Sequence, residues 1–199
     1  MAIEMKRRDA LKLLSAMAIS TAIPSELWSL GRAVNAQVAK GATLRTLNPH
    51  QNATVTLISD MIIPATETPG AQAARVNAFI DLILTDWSDT DEKQLFLTGL
   101  ANLDQHSRDL HGKNFVECSG EQQVELVTEM DTKLAADWKV VDRATRRHPE
   151  PPKTFFYLMK HLTLVGYYTS DIGAQQELQY EIIPTQHGGC LPVDDSSKA

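Results

Sequence analysis

The sequence predicts an all-α fold, and three observations carry that prediction. Apolar residues recur at spacings of three and four in five successive windows, the period of a helix with one buried side. Helix punctuation stands between the windows: caps such as Asn48 and Ser119, and breakers such as Pro64 and the His148-Pro-Glu-Pro-Pro152 run. No strand ladder, internal repeat or low-complexity tract competes with them. With 199 residues, 43% hydrophobic and 22% charged, the chain has the composition of one globular domain rather than of a disordered one. The expected architecture is a small helical bundle with an N-terminal signal helix and a long irregular C-terminal tail. Residues 1–36 form the signal segment and residues 37–199 the helical domain.

The first 36 residues have the three parts of an export signal. Lys6-Arg7-Arg8-Asp9-Ala10-Leu11-Lys12 is a charged start, Leu13 to Ile23 a short apolar run, and Val34-Asn35-Ala36 offers small residues for cleavage. The paired Arg7 and Arg8, followed by Leu11-Lys12, resemble a twin-arginine signal, with Ala10 where that pattern usually has Phe. This route carries protein that has already folded, and it delivers to the periplasm.

The helices follow in order. Asn48 caps and Pro49 opens a helix with Val55, Ile58, Met61 and Ile62 on its apolar side, and Pro64 stops it. Pro64 to Gly70 is a turn-rich loop. Val76, Phe79, Ile80, Ile83 and Leu84 mark a second helix that ends near Trp87. Asp89 to Glu92 opens a third, where acidic residues suit the helix dipole, with Leu95, Phe96, Leu100 and Leu103 inward. His106 to Asn114 reads as a polar connector. Ser119 and Gln122 resemble a capping box before Val124, Val127, Met130, Leu134 and Trp138 of a fourth helix.

The fifth window, Phe155 to Tyr168, is apolar almost all round, and only Lys160, His161, Thr163 and the following Thr169 interrupt it. A helix with one face in water should carry a polar face. This one is too short and too polar at its centre to span a bilayer, which takes roughly 20 apolar residues. Two burials remain: wholly inside this chain, or one face inside and one against a partner. Beyond Gly173 the sequence reads as loop, with a short extended piece at Tyr180 to Pro184.

The composition excludes several classes of function. The formal net charge is −6, and residues 37–199 hold 14 basic against 22 acidic side chains, a balance of −8. Nucleic-acid binding needs clustered Lys and Arg to neutralise phosphates, so no nucleic-acid partner is expected. No Gly-x-Gly-x-x-Gly is present for FAD or NAD, and no Cys-x-x-Cys-His for attached haem. Asp86, Asp89, Asp91 and Glu92 lack the spacing and glycine of a calcium loop and read as a solvated helix start. His106 and His111, five apart, do not share a helix face. No catalytic, cofactor-binding or metal-binding residue is assigned in this chain.

The long helix and its sequel resemble the gluconate 2-dehydrogenase subunit 3 family. The residues that carry the likeness are Phe155-Phe156-Tyr157, Leu162-Thr163, Gly166-Tyr167-Tyr168-Thr169, Ile172-Gly173 and Gly189-Cys190-Leu191-Pro192. Ile63 to Ala71, with Val76 and Phe79-Ile80-Asp81, is similar to the family's N-terminal portion, so the likeness covers roughly residues 45–195. It implies a small non-catalytic subunit of a periplasmic FAD-dependent sugar or polyol dehydrogenase. The FAD lies in the large catalytic subunit, and a cytochrome c subunit often takes the electrons. The small subunit supports folding and export of the large one. The expected interface residues are Phe155, Phe156, Tyr157, Met159, His161, Tyr167, Tyr168 and Cys190. Contact with a membrane would come only through the complex or an uncleaved signal.

Two cysteines, Cys118 and Cys190, meet an oxidising compartment if the chain is exported. Three states stay open: a bridge between them, a bridge to the catalytic subunit, or two free buried thiols. The alternative to an accessory subunit is a self-sufficient periplasmic enzyme or ligand binder using His161 with Tyr167 or Tyr168.

Overall fold

The computed structural model describes residues 25–39, 43–144 and 153–179. Among them are six α-helices: α1 (Ser25–Ala39), α2 (Pro49–Ile62), α3 (Val76–Asp86), α4 (Thr90–His111), α5 (Gly120–Ala144) and α6 (Phe155–Tyr168). A 3-10 turn at Phe115–Glu117 joins α4 to α5, and a π-helical turn at Ile172–Glu177 follows α6. No strand occurs among the described residues, as the all-α reading expects. Arg7, Arg8, the apolar run to Ile23, the proline-rich run at 148–152, Tyr180 to Pro184 and Cys190 lie outside the described residues.

The caps stand where the sequence places them. The Asn48 side chain accepts from the Gln51 amide at 2.9 Å, and the Gln51 side chain accepts from the Asn48 amide at 3.0 Å. Asp89 does the same for Glu92 at 2.7 Å, which confirms the helix-start reading of this acidic group. Ser119 and Gln122 form their reciprocal pair at 3.4 and 3.0 Å.

Several local expectations are corrected. The stretch from His106 is helix up to His111 rather than connector, and Gly112 ends α4 in the left-handed conformation at φ 73°. His106, Arg108 and Asp109 line the solvent side of a long helix while Ser107 is buried, a pattern that hydropathy alone cannot tell from a loop. His106 and His111 both reach α5: His106 Nε2 lies 3.0 Å from Glu129 and His111 Nε2 lies 3.7 Å from Glu125. Val127, Met130, Leu134 and Trp138 pack on the core as expected, but Val124 is 46% exposed while Gln123 and Leu126 are buried in the first turns of α5. The segment after Gly173 begins as a π-helical turn, not a loop. α1 spans Ser25–Ala39 and so runs across residue 36.

α6 is the hub and touches every other described helix. Its inward side chains join Phe79, Phe96, Phe115, Ile58 and Leu100 in one continuous core. Gly166 lets α3 come close: a Cβ there would stand 2.7 Å from the Phe79 ring.

The irregular segment ahead of α2 is anchored by a buried carboxylate. Asp81 on α3, 2% exposed, accepts from the backbone amides of Arg45, Thr46 and Leu47 at 2.8, 2.9 and 2.7 Å. A charged acceptor makes such bonds stronger than neutral pairs. Removing it leaves three donors to be re-satisfied. We expect Asp81→Ala to lower the unfolding free energy by about 3 kcal/mol in urea titration, and Asp81→Asn, which keeps one acceptor oxygen, to lose less. Equal stability of Asp81→Ala and the native chain would remove this anchor from the account.

Candidate functional site

The three polar interruptions of α6 that point inward are all satisfied inside the chain. Lys160, 7% exposed, places its ammonium 2.5 Å from Asp131 on α5 and 5.8 Å from the Phe156 ring centroid. Thr163 lies 3.4 Å from Ser59. Thr169 donates to the Val165 carbonyl at 2.6 Å and accepts from the Asn35 amide group at 2.7 Å. These residues therefore do not make a solvent face. Phe156, Met159 and Tyr167 are also inside, at 5%, 0% and 0% exposure. They belong to the chain's own core. Tyr167 donates its hydroxyl to the Pro69 carbonyl at 2.7 Å.

What α6 turns outward is its apolar edge. Tyr157, Leu158, His161 and Leu162 are half-buried. With Leu30 and Gly31 of α1, Phe79, Ile83 and Leu84 of α3, and Trp87, they line an open groove of about 370 Å³. Trp87 stands at its rim, 54% exposed. The Tyr157 and His161 rings stack at 5.7 Å, nearly parallel, and Trp138 meets Tyr157 edge-on at 6.2 Å. Burial pushes the His161 imidazole below its ordinary pKa and pushes the Tyr157 phenol above its own. The stacked pair is neutral at pH 7.

Phe155 and Tyr168 lie away from this groove. Phe155 packs edge-on against Phe96 at 5.3 Å and closes a second cleft, of about 340 Å³, between α4 and α5. Tyr168 meets Tyr167 edge-on at 5.3 Å. The alternative that pairs His161 with Tyr167 or Tyr168 is not assembled, because neither tyrosine lines the groove that His161 lines. Cys118 is a buried free thiol, 3.1 Å from the Ser107 hydroxyl.

Three arrangements escaped the sequence reading. Asp81 and its row of amides is one. His50 and Asp104 are another: they meet at 2.6 Å across 54 residues, and Asp104 also accepts from the Phe115 amide at 3.0 Å. Trp87 is the third, read only as a helix end. Spacing gives no sign of the first two, but an exposed Trp beside an apolar window is a visible cue. Among the described residues no group of three or more His, Cys, Asp or Glu could hold a metal ion. No described helix is long and apolar enough to cross a membrane. The groove is lined mainly by apolar and aromatic side chains, with Ser88, Glu92 and His161 as its polar members.

The family model described as Gluconate 2-dehydrogenase subunit 3 matches residues 49–186. The match begins at the first residue of α2 and takes in α6. No curated protein and no solved structure matches the chain.

The lowered pKa of His161 has a measurable consequence. As pH falls, the unfolded chain, with an ordinary imidazole, takes up a proton at this position before the folded chain does. Stability tied to His161 is fully present above about pH 6.5 and is lost as the pH falls through that value. His161→Phe keeps a ring on Tyr157 and binds no proton. We expect unfolding free energy to fall more steeply between about pH 7.5 and 5 for the native chain than for His161→Phe. Parallel curves would assign that slope to other groups.

Proposed function

Because the chain belongs to the gluconate 2-dehydrogenase subunit 3 family, we propose that it is the non-catalytic small subunit of a periplasmic FAD-dependent sugar or polyol dehydrogenase. It stabilises the flavin-bearing catalytic subunit and carries it through the twin-arginine route on the signal that contains Arg7 and Arg8. A cytochrome c subunit serves as electron acceptor of the assembly. The family is that of one subunit of a multi-subunit dehydrogenase, and this chain carries no nucleotide fingerprint of its own.

The observation that carries the docking part is the apolar edge of α6 beside an exposed tryptophan. Tyr157, Leu158 and Leu162 are half-buried, and they line one groove with the exposed Trp87. Aromatic residues dominate interface energetics when a partner desolvates them.

A second reading rests on the groove's volume of about 370 Å³, within the range of small-molecule sites. It makes the chain a ligand binder or enzyme in its own right. Purified chain incubated with sugars and an artificial electron acceptor separates the two. No turnover and no flavin absorbance are expected, and turnover would overturn the accessory reading.

Two results test the proposal directly. The catalytic subunit expressed without this chain should show reduced yield, FAD content and export; normal values for all three would defeat it. Trp87→Asp combined with Leu158→Asp should weaken co-purification with the catalytic subunit by about 30-fold or more, the equivalent of one desolvated aromatic anchor at about 2 kcal/mol. Circular dichroism of the variant checks that the helices remain.

A further inference from the structure

The segment just after the apolar run of the signal is part of the folded core. Val34 is 0% and Val38 3% exposed, both packed in the main core cluster. The Asn35 side chain donates to the Gly166 carbonyl at 3.1 Å and to the Thr169 hydroxyl at 2.7 Å, at the C-terminal end of α6. The Arg75 guanidinium donates to the Val38 carbonyl at 2.9 Å. Gly31 lies so close to Thr169 that a Cβ would stand 2.7 Å from its methyl group. Side-chain, backbone and steric contacts all fix the same helix on α3 and α6.

We propose that α1 is a permanent element of the mature protein, so that the Ala36–Gln37 bond stays intact and any removal of the signal occurs before Ser25. A peptidase binds its substrate extended. Reading Val34-Asn35-Ala36 in that form would require α1 to unwind and Val34 and Val38 to leave the core. Cleavage there would also take away Leu30 and Gly31, one wall of the groove beneath Trp87. The arrangement couples the signal to the finished fold. Asn35 reaches partners 131 and 134 residues further along the chain, so α1 is seated only once α6 is in place. A signal held upstream of α1 is joined to a completed core, as a route for folded cargo requires.

The processing part of the inference rests on the export reading above; the structural part does not. The full chain, produced together with its catalytic subunit, is recovered from the exported fraction and its intact mass is measured. A mass that includes residues 25–36 is expected, and a chain beginning at Gln37 would overturn the proposal. Absence of exported material would count against the export reading alone. The seating of α1 is then read on the full-length chain from inside the cell. Val34→Asp should lower its Tm by more than about 5 °C and open the Arg32–Ala33 bond to trypsin. Unchanged melting and unchanged protection would overturn the assignment of α1 to the core, whatever the outcome of export.

Discussion

The burial of α6 on nearly every side is the constraint on which the other elements depend. A helix without a polar face has to be surrounded, and five helices surround it. Its few polar side chains would be costly there if unpaired. Each inward one is matched: Lys160 by Asp131, Thr163 by Ser59, and Thr169 by Asn35 and the Val165 carbonyl. Because these partners lie on α5, α2 and α1, satisfying α6 also sets where those helices sit. Gly166 then decides how near α3 can come, through the Phe79 ring.

The two stretches most like the family are joined by this arrangement. The Pro64 to Gly70 loop is held by Tyr167, whose hydroxyl donates to Pro69, and by Glu177, which accepts from Thr68 at 2.6 Å. The loop and the Gly166-Tyr167-Tyr168-Thr169 run therefore form one structural unit, although about a hundred residues separate them. Its role is architectural: it closes the top of α6 and leaves the Tyr157–Leu162 edge as the part still available to another surface. A binding face on a helix that is otherwise core is rigid, because the buried side fixes the exposed one. Rigid faces lose little conformational freedom on association.

The division of α6 into core and edge could not be read from its composition. Apolar character marked Phe156, Met159 and Tyr167 as strongly as Tyr157, and only neighbours on α2, α3 and the Pro69 loop separate them. Trp87 shows the reverse case. It was legible as a large aromatic next to a helix end, and its exposure follows from α3 stopping at Asp86. The paired His50 and Asp104 carried no spacing signal at all, since the loop and helix between them had first to bring α2 and α4 together.

The sequence by itself determined the all-α class, the caps at Asn48 and Ser119, the helix start at Asp89, and the unusual character of the Phe155–Tyr168 window. All of these are local: a cap acts over three residues and a helical stripe over one turn. Tertiary structure alone decided the buried partners of Asp81 and Lys160, the exposure of Val124 at the start of α5, the helical state of the His106–His111 stretch and the seating of α1 on α6. Those depend on contacts between residues far apart in the chain, and their energies exist only after the helices have met.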